Sequence, residues 1–129
     1  MISTAVLIST GFLVVFLEKL QSYPALPSVH VTHLGKIYSF DSSPNAEQRY
    51  RFYGLALQDP SSDVAKESAP LVVRWVTGDD GTGIIKGRAK FCRPMFRAVS
   101  KVDKELADRY YLQFKDAFHP IVRRLIEKV

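Results

Sequence analysis

The sequence predicts an all-α domain: short antiparallel helices stacked in two layers as a right-handed α-α superhelix of the HEAT or armadillo kind. Three observations predict it. Apolar residues recur every three or four positions along most of the chain. No stretch alternates apolar and polar residues over the length of a strand. Prolines and capping residues divide the chain into six or seven helices joined by short turns. Such helices stack naturally as antiparallel neighbours, and the lack of a strict repeat makes the solenoid degenerate.

The elements follow in order. Residues 5–21 form a first helical stretch that Gly11 could interrupt. Its apolar part, Ala5 to Phe16, is shorter than the ~20 residues that span a bilayer. No Lys or Arg precedes it, so the basic region of a signal peptide is missing. A helix packed on the domain with some apolar surface left exposed is expected, and a signal-anchor is the alternative. Tyr23-Pro24-Ala25-Leu26-Pro27 is a connector, because its two prolines fix φ and remove donors. Val29 to Phe40 allows a short helix with Val31, Leu34, Ile37 and Tyr38 along one side. Ser43 and Pro44 read as the cap and first residue of a helix running to about Gln58. That helix would bury Tyr50, Tyr53, Gly54 and Leu57.

Asp59-Pro60 stops it, and Ser61 or Ser62 caps the next. Pro70 should kink or restart that helix, with Leu71, Val72, Trp75 and Val76 facing the core. Gly78 to Gly83 is the most loop-like segment. Pro94 is expected to open another helix and Asp103 to cap the one after it. Leu106, Tyr110, Phe114 and Ala117 recur at helical spacing along this one. His119-Pro120 breaks the chain again, and Ile121, Val122, Leu125 and Ile126 make the last apolar face.

At 129 residues the chain fits one domain and can bury a core without staples. Its one cysteine, Cys92, cannot form an internal disulfide, which suits a reducing compartment. Charge is uneven. Residues 1–85 hold six Lys/Arg and eight Asp/Glu, whereas residues 86–129 hold twelve and five. A basic half suits nucleic acid, an anionic membrane or an anionic small ligand, and it is equally the signature of a solvated helical face. Aromatics lie among the basic residues, as in nucleic-acid binders. Most of them, Tyr53, Phe91 and Phe96 included, fall at core spacing, so packing is the better reading and no nucleic-acid partner is expected.

Familiar catalytic patterns are missing. The segment Gly78 to Gly83 has no strand before it and no Gly-Lys-Ser/Thr after it, so it is not a phosphate loop. There is no His-Glu-x-x-His, no Gly-x-Ser-x-Gly and no dinucleotide fingerprint. His30 and His33 could share a helix face, but a metal needs three or four ligands and no carboxylate lies at helical spacing beside them. His119 reads as a capping or packing residue. No catalytic residue and no metal ligand are therefore assigned. Arg88 and Lys90 remain. A guanidinium suits bidentate carboxylate contact. The two cations share a side if the segment is extended and diverge if it is helical; as plain surface charges they would have no role.

A series of segments carries a resemblance. It begins at Phe16-Leu17 and the Pro-Ala-Leu-Pro connector. It continues through Leu34-Gly35-Lys36-Ile37-Tyr38-Ser39-Phe40 and Asn45-Ala46-Glu47-Gln48-Arg49-Tyr50-Arg51-Phe52. It is strongest over Gly87-Arg88-Ala89-Lys90-Phe91-Cys92-Arg93-Pro94, then Val102 to Ala107 and His119-Pro120-Ile121. From about Phe12 to Val129 the chain resembles the C-terminal helical domain of leukotriene A(4) hydrolase and its aminopeptidase relatives, with a fungal-like character.

The resemblance implies two layers of helices in a superhelical coil that closes one side of an active-site cleft. It implies a zinc aminopeptidase family, some members of which also hydrolyse the epoxide leukotriene A(4). The Gly-Arg-x-Lys-Phe element of the family binds the free carboxylate of a peptide or lipid substrate, which maps onto Arg88 and Lys90. The zinc ligands and the catalytic tyrosine of the family lie in a preceding catalytic domain. This chain is therefore expected to hold no cofactor, to be inactive alone, to be cytoplasmic, and to partner a catalytic aminopeptidase domain in cis or in trans. Residues 1–11 are atypical, residues 12–129 form the family domain, and Gly78 to Lys86 is longer than the corresponding turn in the animal enzymes. A truncated or separately encoded fragment, or an imprecise gene model, is expected. The alternatives are a stand-alone helical scaffold for a protein partner and, more weakly, a nucleic-acid binder using the basic half.

Overall fold

The computed structural model describes residues 10–86 and 88–128. Seven α-helices and two 3-10 turns account for most of them, and no strand occurs among the described residues. The helices are α1 (Thr10–Gln21), α2 (Ser28–Tyr38), α3 (Ala46–Ala56), α4 (Asp63–Thr77), α5 (Ala89–Val102), α6 (Lys104–Phe114) and α7 (Pro120–Glu127). The 3-10 turns Phe40–Ser42 and Lys115–Ala117 follow α2 and α6. The all-α expectation holds. The atypical segment 1–11 lies outside the described residues except for its last two, and so does most of the expected stretch before Thr10.

Helices α3, α4 and α5 pack on one another and form the centre. Helix α1 lies on α3, and α2 lies on α3 and α4. Helix α6 lies on α4 and α5, and α7 lies on α5. The aromatic side chains hold the centre together. Trp75 of α4 meets Tyr53 of α3 edge-on at 5.5 Å between centroids and Phe91 of α5 edge-on at 6.1 Å. Phe91 also meets Tyr50 edge-on at 5.3 Å. These are the offset geometries that the ring quadrupole favours. Leu17 of α1, Val31 of α2, Val72 and Val76 of α4, and Val99 of α5 fill the rest and are fully buried.

Several helix starts follow capping chemistry. Ser62 caps α4 by accepting from the Ala65 N–H at 3.2 Å. Ser28, at the start of α2, accepts from the next donor, Val64 N–H, at 3.1 Å, so two separate segments satisfy one helix end. Asp103 caps α6 through the Leu106 N–H, and His119 Nδ1 caps α7 through the Ile121 N–H. Helix α3 corrects the expected start. Its cap is Asn45, whose Oδ1 accepts from the Glu47 and Gln48 N–H groups, while Ser43 instead accepts from Asn45 N–H and donates to the Gln48 side chain. Asn competes well for a cap position, so the helix begins two residues later.

Three further expectations change. Pro70 neither breaks nor restarts α4, which runs unbroken from Asp63 to Thr77. Pro94 does not open α5; it lies inside a helix that starts at Ala89. Buried faces on both sides of each proline, Ala69 with Val72 and Cys92 with Met95, outweigh one missing backbone donor. The apolar stripes are also narrower than their spacing suggests. Ile37, Tyr38, Leu71 and Ile121 are exposed although they follow the apolar period. In α2 the buried positions are Val31 and Gly35. A Cβ at Gly35 would come within 2.7 Å of the Phe52 ring, so glycine is what lets α2 approach α3.

Trp75 is 2 % exposed and bridges all three central helices. Replacing it with alanine should cost about 3–5 kcal/mol of stability, measured by denaturant unfolding. A loss under about 1 kcal/mol would mean that the centre collapses around the gap or that the indole is not held there.

Candidate functional site

Arg88 and Lys90 stand at the start of α5. Arg88 is the residue before the helix, with an extended backbone (φ −69°, ψ 133°), and its carbonyl accepts from the Phe91 and Cys92 N–H groups at 2.9 and 3.0 Å. The Cys92 thiol donates to the same carbonyl at 3.1 Å. No side chain caps this helix, and its first turn carries no acidic residue. The uncapped N–H groups and the positive end of the helix dipole therefore coincide with two cations.

The two cations meet at one ring. The Arg88 guanidinium lies 5.9 Å from the Phe91 centroid and the Lys90 Nζ 5.6 Å from it. Arg88 precedes the helix and Lys90 lies in its first turn, yet both side chains reach Phe91 within cation–π range. They differ in their remaining contacts. Lys90 Nζ is 2.6 Å from Glu47 Oε1 of α3. Arg88 is exposed and has no ion pair among the described residues.

Glu47 is the hinge of a charge chain. It also accepts from Arg51, one helical turn on, and Arg51 Nε is 2.6 Å from Glu18 Oε1 of α1. Glu18, Arg51, Glu47 and Lys90 thus tie α1, α3 and α5 across the surface. The Lys90 hydrogen bond, followed by that of Arg51, holds the Glu47 carboxyl below the usual glutamate range, against a weaker opposing effect of burial. At Trp75, Lys86 Nζ lies 5.4 Å from the indole ring and the Arg49 guanidinium 5.7 Å from it. Burial pulls the Lys86 pKa down, opposed by the charge of Asp80. Four cations, Arg49, Lys86, Arg88 and Lys90, therefore rest on one connected set of rings.

The sequence singled out Arg88 and Lys90 but missed Glu47, Lys86 and Arg49. The Glu47–Arg51 pair was legible from its four-residue spacing. The Glu47–Lys90 pair was not, since 43 residues separate its partners. His30 and His33 are both exposed, and among the described residues no three His, Cys, Asp or Glu side chains are placed to hold a metal ion. Among the described residues, no helix is long and apolar enough to cross a membrane.

These elements coincide with a known sequence family. Residues 8–129 match the family model described as leukotriene A4 hydrolase, C-terminal. The chain belongs to that family. It is 36% identical over 116 residues to leucine aminopeptidase 2 of Phaeosphaeria nodorum, a match covering 89% of this chain and 17% of that protein. It is 33% identical over 115 residues to leucine aminopeptidase 2 of Neurospora crassa, covering 88% of this chain and 16% of the relative. It is also 31% identical over 116 residues to a leukotriene A-4 hydrolase homolog of Botryotinia fuckeliana, covering 89% and 16%. The chain thus spans 16–17% of the length of these curated relatives. No solved structure matches it.

The Glu47 pairings set a pH dependence. Its charged form is the one that Lys90 and Arg51 stabilise in the folded state. The contribution is therefore present above the ordinary glutamate pKa of about 4.3 and fades as pH falls through the lower folded value. Glu47→Gln should lower the melting temperature at pH 7, and the gap to the unaltered chain should close in strong acid. A gap that is the same at both pH values would show that the pairings add nothing.

Proposed function

We propose that this chain is the C-terminal accessory domain of a leukotriene A(4) hydrolase-like zinc aminopeptidase. In this reading residues 12–129 form one wall of the active-site cleft, and the catalytic domain is supplied in cis or in trans. Its helices coil as a two-layered right-handed superhelix, and the assembly works in the cytoplasm. Arg88 and Lys90 hold the free carboxylate of a peptide or lipid substrate. Family membership and the names of the relatives support the enzyme class. One observation carries the site: two cations converge on Phe91 at an uncapped helix start, where the backbone already favours an anion.

The geometry divides the labour. Arg88, exposed and unpaired among the described residues, offers a two-pronged grip on a carboxylate. Lys90 has three donors and gives one to Glu47, which fixes the direction of its ammonium while leaving donors for a ligand. Glu47 also offsets the repulsion between Lys90 and the helix dipole. In water such a grip contributes only about 0–1 kcal/mol. Beneath a catalytic domain that excludes water, the same charges act in a lower dielectric and set the position of the scissile bond.

Two measurements test this. The chain alone should not hydrolyse aminoacyl substrates with or without added zinc; turnover that persists through further purification would overturn the accessory role. In the full-length enzyme, Arg88→Ala should lower kcat/KM by more than about tenfold while leaving zinc content and fold intact, since losing the anchor misplaces the reacting bond. Unchanged kinetics would mean that the two cations are surface charge.

A further inference from the structure

A second basic site lies further along α5. Arg93, Arg97 and Lys101 are four residues apart and line one groove of about 480 Å³ between α5 and the end of α3. All three are exposed and none is ion-paired among the described residues. No Asp or Glu lines the groove. The nearest in sequence, Asp59, turns its carboxylate to the N–H and hydroxyl of Ser61 at 3.0 and 2.7 Å.

The floor is of a different character. Leu57, Pro60, Pro94 and Ala98 make it largely apolar, and Gln58 adds one polar group. The Gln58 amide nitrogen donates to the carbonyls of Gln21 and Tyr23 at 3.2 and 2.6 Å. Those two acceptors fix which end of the amide is nitrogen. Its Oε1 is buried with no hydrogen-bond partner, the single side-chain polar atom in that state among the described residues. Buried acceptors normally find a donor.

We propose that this groove binds an extended acidic segment of a protein partner. Four residues of helix advance about 6 Å. Side chains on one side of an extended peptide recur every 6.5–7 Å or so. Carboxylates at alternate peptide positions therefore keep step with Arg93, Arg97 and Lys101. No aromatic side chain lines the groove for the bases of a nucleic acid to stack on. The proposal does not depend on the role of Arg88 and Lys90.

The test titrates the 129-residue chain with a capped, fluorescein-labelled peptide of alternating glutamate and alanine and follows polarisation at low salt. Saturable binding is expected. Arg97→Glu should weaken it by roughly tenfold or more, and Lys128→Glu, an equal charge change elsewhere, by less than about twofold. The double variant Arg93→Gln with Lys101→Gln keeps the test open should Arg97→Glu fail to fold. Amide exchange should slow at Leu57 and Ala98 on binding. Absence of saturable binding overturns the proposal, as does equal weakening by Lys128→Glu. So does tighter, Arg97-dependent binding of oligothymidine of matched charge, which would make the groove a nucleic-acid site.

Discussion

The edge-on contacts of Trp75 with Tyr53 and Phe91 are the constraint on which the rest of this domain depends. They lock α3, α4 and α5 at one point, and the other four helices are arranged on that trio. The same rings are also the floor of the candidate site. Arg88 and Lys90 are defined by Phe91, and Arg49 and Lys86 by Trp75. Packing and electrostatics are thus joined: a disturbance of the ring contacts moves the cations with them. Aromatic faces suit this double use, because each ring buries a large area on one side and presents a negative quadrupole to a cation on another.

Much of the helix order could be read from local chemistry. Ser62 and Asp103 cap the helices they were expected to cap, and His119-Pro120 starts the last one, because a cap needs only a side chain and donors two or three residues away. Errors arose where local signals competed. Ser43-Pro44 is a good helix start, but Asn45 is a better cap, and the sequence does not weigh one against the other. Prolines 70 and 94 mark breaks in isolated helices, whereas here burial on both sides carries the helix through. Ile37, Leu71 and Ile121 follow the apolar period yet remain exposed, since periodicity reports a face and says nothing of whether a neighbour covers it.

The candidate site was only half legible for the same reason. Arg88 and Lys90 are close in sequence and fall in a segment that resembles a family element, so they could be named. The partner that orients Lys90 comes from another helix, and nothing local to either residue announces it. The sequence also left open whether the two cations share a side. The answer, one residue outside the helix and one within its first turn, depends on where α5 starts, and helix ends are its least readable feature. The groove of Arg93, Arg97 and Lys101 shows the opposite case: their spacing was plain, but only the turn at Gln58 and Pro60 makes them one wall of a concavity.

The segment between α4 and α5 returns the chain to its point of departure. Gly78 takes a left-handed φ of 78°, Gly83 N–H donates back to the Gly78 carbonyl at 3.0 Å, and Lys86 N–H donates to Val76 O at 2.8 Å. Tyr110 of α6 pins the base of the excursion through Asp79 at 3.0 Å. An excursion whose two ends are fastened this closely can change in length at a small entropic cost and leave α4 and α5 undisturbed. Ile84, exposed beside the closed base, follows that loop, and Lys86 reaches the indole two residues later. The fold therefore contains a module that can diverge at the border of the cationic face while the helices beneath stay constant. An insertion or deletion in that one span would reshape the edge of the cationic face without repacking the helices.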